Sequence, residues 1–296
     1  MRGASHPGPI LVYCVGIAFF CAMDAIMKAL VAAYPAVSAT FWRYVAAILF
    51  ILPFWLREGA PPIRRDMWPP HLLRGAFIAA AAFLFFWSLT ILPLAEAVTF
   101  AFIAPLLIPP MAALFLKERM EARSLVAALL GFLGVLVAVG ADPATIGRTR
   151  LLGVGAVLLS AFSYAVSIIL LRARAEADGP SLVSLMGAMI PAAILLPFVL
   201  MLPAGRVPVL ADWPLVLAAG LAGAIALQFI ARAYARAQAQ LLAPFEYTAL
   251  FWAALFGWAF FGEGLSWRTL AGAAIIVAAC IWQARPRSPA PSSPPA

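Results

Sequence analysis

Ten apolar runs, each long enough to cross a bilayer as a helix, follow one another through this chain. They occupy residues 10–33, 36–56, 72–91, 94–116, 123–140, 151–172, 181–202, 213–234, 239–261 and 267–284. About 20 apolar residues in helical form span the hydrocarbon. Inside lipid a helix satisfies its own backbone polar groups, which water cannot do there. The gaps carry turn or charge signals: Tyr34-Pro35, Arg57 to Pro70, Pro93, Lys117 to Arg123, Asp142-Pro143, Gly179-Pro180 and Gly205 to Pro214. Only 11% of the residues are charged and 65% are hydrophobic. A soluble domain carries roughly 25% charge, so this chain cannot solvate a globular surface. The expected class is an all-α integral membrane protein. The net charge of +8 is spread over short gaps, which excludes a nucleic-acid interface. Cys14, Cys21 and Cys280 lie inside apolar runs with neither metal spacing nor a disulfide pattern. The first run is too long for the core of a signal peptide and reads as a retained helix.

The second constraint is internal repetition. Leu92 to Ala138 can be laid over Ala237 to Gln283, at an offset of 145 residues that places Glu118 on Glu263 and Arg123 on Arg268. The offset is about half the chain. Related halves within a membrane protein are a mark of transporters and enclose a substrate path at their interface. Five spans per half is an odd number, so the second half is expected upside down relative to the first. The chain divides into a short N-terminal segment (1–9), a first five-helix repeat (10–140), an outer linker (141–150), a second five-helix repeat (151–284) and a Pro/Ser-rich disordered tail (285–296).

Lys and Arg accumulate on the cytoplasmic side of membrane proteins. With the N-terminus inside, fourteen of them fall on the inner side and five on the outer, with Arg43 inside a span. Both termini are therefore expected in the cytoplasm.

These halves resemble the EamA domain of the drug/metabolite transporter superfamily. The block LPLAEAVTFAFIAPLLIPPMAALFLKER, followed by Gly131 and Gly134, carries the resemblance in the first half. LLAPFEYTALFWAALFGWAFFGE, followed by Gly272 and Ile275-Ile276, carries it in the second. Small residues follow each glutamate at about 9 and 16 positions: Ala127 and Gly134 after Glu118, Gly272 and Ala279 after Glu263. The resemblance implies ten transmembrane helices in two inverted repeats, no cofactor, and residence in a bacterial inner membrane. Members move amino acids, nucleoside-like metabolites, vitamins, metallophores or drugs, so it specifies the fold and not the substrate. It leaves monomer and homodimer open.

Ionisable groups within a membrane are functional candidates. Asp24 and Arg43 fall at similar depth on antiparallel neighbouring spans, and so are candidates for an ion pair. Such a pair would either pin the two spans or form a charged cavity wall and proton site. Gln228 and Glu246 form a second polar layer, with Tyr164 nearer the centre. Glu246 follows Pro244 in the first turns of its helix, where the macrodipole favours a carboxylate. It is expected either to pair with Arg232 or Arg236, or to accept a proton or a cationic substrate. Phe83, Phe86, Trp87 and Thr90 share a helix face, as do Tyr247, Phe251 and Trp258. Trp87 and Tyr247 are the aromatic cavity candidates. Glu118 and Glu263 read as interfacial anchors. Pro105, Pro109 and Pro110 should bend the fourth span, and Ala127/Gly131 and Gly220/Ala224 should permit close helix packing.

A secondary transporter of a small metabolite, working by alternating access with protons as a candidate coupling ion, accommodates these features. An uncoupled exchanger accommodates them as well. An integral membrane enzyme acting on a lipid-soluble substrate would need a metal-spaced histidine cluster, a nucleophile motif or a phosphate loop, and the sequence offers none. A channel would ask for rings of charge.

Overall fold

The computed structural model describes residues 7–88, 90–92, 97, 100–118, 122–139, 148–204, 207–261 and 267–284. Among these residues, ten helices of 13 residues or more form the body. They are α1 (Pro7–Ala33), α2 (Ala36–Arg57), α3 (Trp68–Ser88), α4 (Ala104–Leu116), α5 (Ala122–Val139), α6 (Arg148–Asp178), α7 (Pro180–Leu200), α8 (Trp213–Arg236), α9 (Ala249–Phe261) and α10 (Trp267–Ala284). Six of them, α1 to α3 and α6 to α8, lie in segments long and apolar enough to cross a membrane. Pro93, Arg119, Asp142-Pro143, Arg206, Glu263 and the tail all fall outside the described residues, as do the side chains of Arg268 and Cys280.

Local chemistry places several boundaries. Lys117 ends α4 in the left-handed region, at φ 54°. Gly179 joins α6 to α7 at φ 82°, a conformation that costs glycine nothing. Pro180 then opens α7 and Pro214 opens α8, where a missing N–H is harmless.

The repeat is visible in the boundaries themselves. Shifted by 145 residues, α4 falls on α9 and α5 on α10 end for end, α1 and α6 end together, and α3 and α8 begin together. The packing repeats as well. Helix α1 packs on α8 as α6 packs on α3; α2 packs on α8 as α7 packs on α3; and α4 packs on α6 as α9 packs on α1. The self-paired contacts α2/α7 and α5/α10 complete a pattern that maps onto itself when the halves are exchanged.

Counterpart helices run in opposite directions. At one end, here the far end, Tyr34 after α1 donates to Asp212 before α8 at 2.6 Å. At the other, the terminal end, His71 at the start of α3 meets Asp178 at the end of α6 at 3.0 Å. Helix α1 therefore runs toward the far end and α6 toward the terminal end. Arg123 at the start of α5 donates to the Trp282 carbonyl near the end of α10, which makes that pair antiparallel too. The outer surface is apolar, with Leu11, Leu49, Leu73, Leu114, Leu133, Leu159 and Leu200 all exposed. A face so apolar suits lipid rather than water.

The expected ninth span differs from a continuous helix. Residues Ala239–Leu242 make a single helical turn and Ala243–Thr248 a 3-10 segment, and the α-helix begins only at Ala249. Pro244, at the head of the 3-10 segment, lacks the N–H that a continuous helix would use. Its repeat mate α4 begins equally late, at Ala104, and holds Pro109 and Pro110 inside its 13 residues.

Candidate functional site

The 3-10 break positions a buried carboxylate between helices of both halves. Glu246 is only 6% exposed. Its Oε1 accepts from the Tyr13 hydroxyl of α1 at 2.7 Å and from the Tyr164 hydroxyl of α6 at 3.4 Å. The Tyr13 and Tyr234 hydroxyls lie 3.3 Å apart, and their rings meet edge to face at 5.5 Å. Phe20 packs against Tyr164 with ring centroids 6.4 Å apart. The carboxylate is thus held by phenols. Of the expected partners, Arg232 faces Glu58 at 4.0 Å, and among the described residues no ion pair joins Glu246 to Arg232 or Arg236. The 3-10 winding turns Glu246 inward toward α1 and α6, and Arg232 sits where α8 meets the end of α2.

Tyr247 is fully buried but faces another way. Its ring packs on Phe102, its own repeat mate, at 5.5 Å. It also fills the space left by Gly131, where a methyl group would overlap the ring. The expected close packing at Gly220 is found as well, against the backbone of Ala46 and Ala47.

Gln228 belongs to a separate network at the terminal end. Ser181 lies 3.3 Å from the Gln228 amide oxygen and donates to Glu58 at 2.7 Å. The second polar layer therefore divides in two: Tyr164 and Glu246 together, Gln228 apart from them.

Asp24 and Arg43 are neighbours without being an ion pair among the described contacts. Arg43 is 4% exposed, directs Nη1 to the Met23 sulfur at 3.0 Å, and lies 3.9 Å over the Tyr44 ring. Met23 is the α1 side chain that Arg43 Nη1 meets, and Asp24 is the next residue on α1. Trp87 is half-buried near the far end of α3, and its carbonyl accepts from Thr90.

Several polar contacts had no signal in the spans themselves. Arg174 donates two bonds to Asp178, at 2.7 and 2.8 Å, while His71 holds the same carboxylate. Arg172 ties α6 to Glu118 at 3.4 Å and to the Tyr234 carbonyl at 2.8 Å. Arg74, near the start of the expected third span, is 4% exposed inside α3 and donates to the Val183 carbonyl at 2.9 Å. Tyr13 and Tyr234 were not singled out from the sequence.

This architecture is that of a transporter: two antiparallel five-helix halves with buried polar groups between them. The chain belongs to the EamA-like transporter family, whose model matches it twice, at residues 7–140 and 151–284. It is 32% identical over 253 residues to a riboflavin transporter of Rhizobium johnstonii, covering 84% of this chain and 81% of that one. It is 28% identical over 263 residues to the pseudopaline exporter CntI of Pseudomonas aeruginosa, covering 88% and 90%. A crystal structure 21% identical in sequence covers 94% of this chain and 96% of its own with a TM-score of 0.80, which shows the fold.

Proposed function

We propose that the protein is a ten-crossing secondary transporter of the bacterial inner membrane, with both termini in the cytoplasm. It moves a small metabolite by alternating access of its two inverted halves, with Glu246 as the coupling site. Riboflavin and pseudopaline, the solutes named for the relatives, define the size class to test first. The observation that carries the coupling reading is the cage around Glu246. It draws Tyr13 from the first half and Tyr164 and Tyr234 from the second. Phenols can both give and accept a hydrogen bond, so they satisfy this carboxyl with or without its proton. An arginine partner would hold it permanently ionised. Rocking of one half against the other would part Tyr13 from Glu246 and open the group to one side of the membrane. Arg43 of α2 meets Met23 of α1 beside Gly223 of α8, with Met23 ten residues along α1 from Tyr13, or roughly 15 Å.

The test is transport in proteoliposomes of a compound first selected by thermal shift, since binding stabilises by mass action. Glu246→Gln is expected to abolish accumulation driven by an imposed pH gradient and to spare exchange, which needs no net proton movement. Accumulation that survives in Glu246→Gln assigns coupling elsewhere.

A further inference from the structure

The two buried arginines inside the helices lack what buried arginines ordinarily have. Arg43 and Arg74 are each 4% exposed, and among the described residues neither has a carboxylate within ion-pair distance. The Nε of each is buried without a hydrogen-bond partner. Arg43 makes do with a thioether and an aromatic face, and Arg74 with one backbone carbonyl. A desolvated cation with so few acceptors destabilises the fold that holds it. Asp24 reaches Arg43 only at longer range. His71, one turn from Arg74, is engaged with Asp178.

They sit in the two interfaces that exchange of the halves interconverts, with arginine and glycine on swapped partners. Arg43 on α2 faces Gly223 on α8; Arg74 on α3 faces Gly187 on α7. Exchange of the halves carries the first interface onto the second. In each, the facing residue is a glycine, and an added Cβ would lie 3.3 Å from the Arg43 Nη1 or 2.9 Å from the Arg74 Nη1. Arg43 lies two turns in from the far end of α2, and Arg74 nearly two turns in from the terminal end of α3, each about 10 Å deep. Tyr44, whose ring lies under Arg43, is within electrostatic reach of Arg74.

We infer that Arg43 and Arg74 are two anion-binding positions, one serving each side of the membrane, and that the transported metabolite carries a compact anionic group, a carboxylate or a phosphate. The guanidinium fork matches both chemistries with two parallel N–H bonds. Handing the anion from one arginine to the other as the halves rock gives alternating access a fixed point on each side. This inference rests on the transporter reading above and deepens it.

The experiment uses the purified full chain in detergent, with inorganic phosphate as a compact probe against chloride at equal ionic strength. Riboflavin and riboflavin 5′-phosphate serve as a neutral and an anionic form of one scaffold. Thermal unfolding and flavin fluorescence anisotropy are the readouts. Without ligand, Arg43→Gln and Arg74→Gln should unfold at or above the wild-type temperature, because each removes an uncompensated buried charge. A structural arginine would show the opposite. Phosphate should raise the wild-type midpoint saturably beyond chloride, and the 5′-phosphate should bind at least about tenfold tighter than riboflavin. Both responses should fall in the Gln variants and return in part in Arg43→Lys and Arg74→Lys. Equal responses to phosphate and chloride, no preference between the flavins, retention of both responses in the Gln variants, or Gln variants that unfold several degrees early would each overturn the inference. Proteoliposomes that take up a neutral solute independently of both arginines would sink the anion inference and leave the transporter standing. Anion binding without movement across the bilayer would do the reverse.

Discussion

At the scale of single residues, the chain uses glycine to bring large side chains together and tyrosine to hold a carboxylate. Gly131 is the clearest case of the first. The Tyr247 ring occupies the space its side chain would take. Gly131→Ala should therefore force the ring aside and cost about 1–3 kcal/mol, the usual penalty for an overfilled core. Thermal unfolding should show a midpoint several degrees lower. Gly155→Ala on α6, where nothing lies within 4 Å, is the control and should leave the midpoint close to wild type. The importance of Gly131 was legible in the sequence, because small residues at helical spacing in an apolar run have few other uses. So was the presence of Glu246 and Tyr164 in one layer. The identity of the Glu246 partners was not. Tyr13 is 233 positions away in sequence, and nothing in its own helix distinguishes it from a packing residue. The surroundings of Arg43 were hidden for a related reason. Depth along two spans can be counted in sequence but rotation about the helix axis cannot, and Met23 is the α1 residue that Arg43 Nη1 meets.

At the scale of elements, the two ends of the body are closed by different chemistry. The terminal end is tied by charged groups: Arg174 and His71 on Asp178, Arg172 on Glu118, and Ser181 on Glu58. The far end is tied by Tyr34, which donates to Asp212 at 2.6 Å and accepts from the Val209 N–H at 3.0 Å. The bond to Asp212 raises the Tyr34 phenol above its ordinary value of 10.0. A group whose value is raised on folding stabilises fully below the unfolded value and loses that contribution as pH climbs through the raised one. The far-end tie should therefore hold through neutral pH and open only above pH 10. Tyrosinate absorbance should show one late-titrating phenol that is absent from Tyr34→Phe. An unchanged titration in that variant would place the tie elsewhere. The break ahead of α9 belongs to this scale as well. Pro244 was visible in the sequence, but an apolar run gives no sign that helix gives way to 3-10 winding, because hydropathy measures burial in lipid and not hydrogen-bond pattern.

At the scale of the whole molecule, the account rests on one relation: the second half is the first half turned over. The sequence carried this in an offset and an odd count of spans. The structure carries it in antiparallel counterparts and in a packing pattern that survives exchange of the halves. The proposed alternating access and the phenol-caged carboxyl between the halves depend on it. Gly59, after α2, and Ala204, after α7, are repeat-equivalent at the offset of 145 and both lie in exposed connections. Reporter fusions at these two positions in the full chain test the relation with no knowledge of the substrate. Alkaline phosphatase should be inactive at Gly59 and active at Ala204, with a fluorescent-protein reporter giving the reverse. Activity on the same side at both positions would mean parallel halves and would contradict the account.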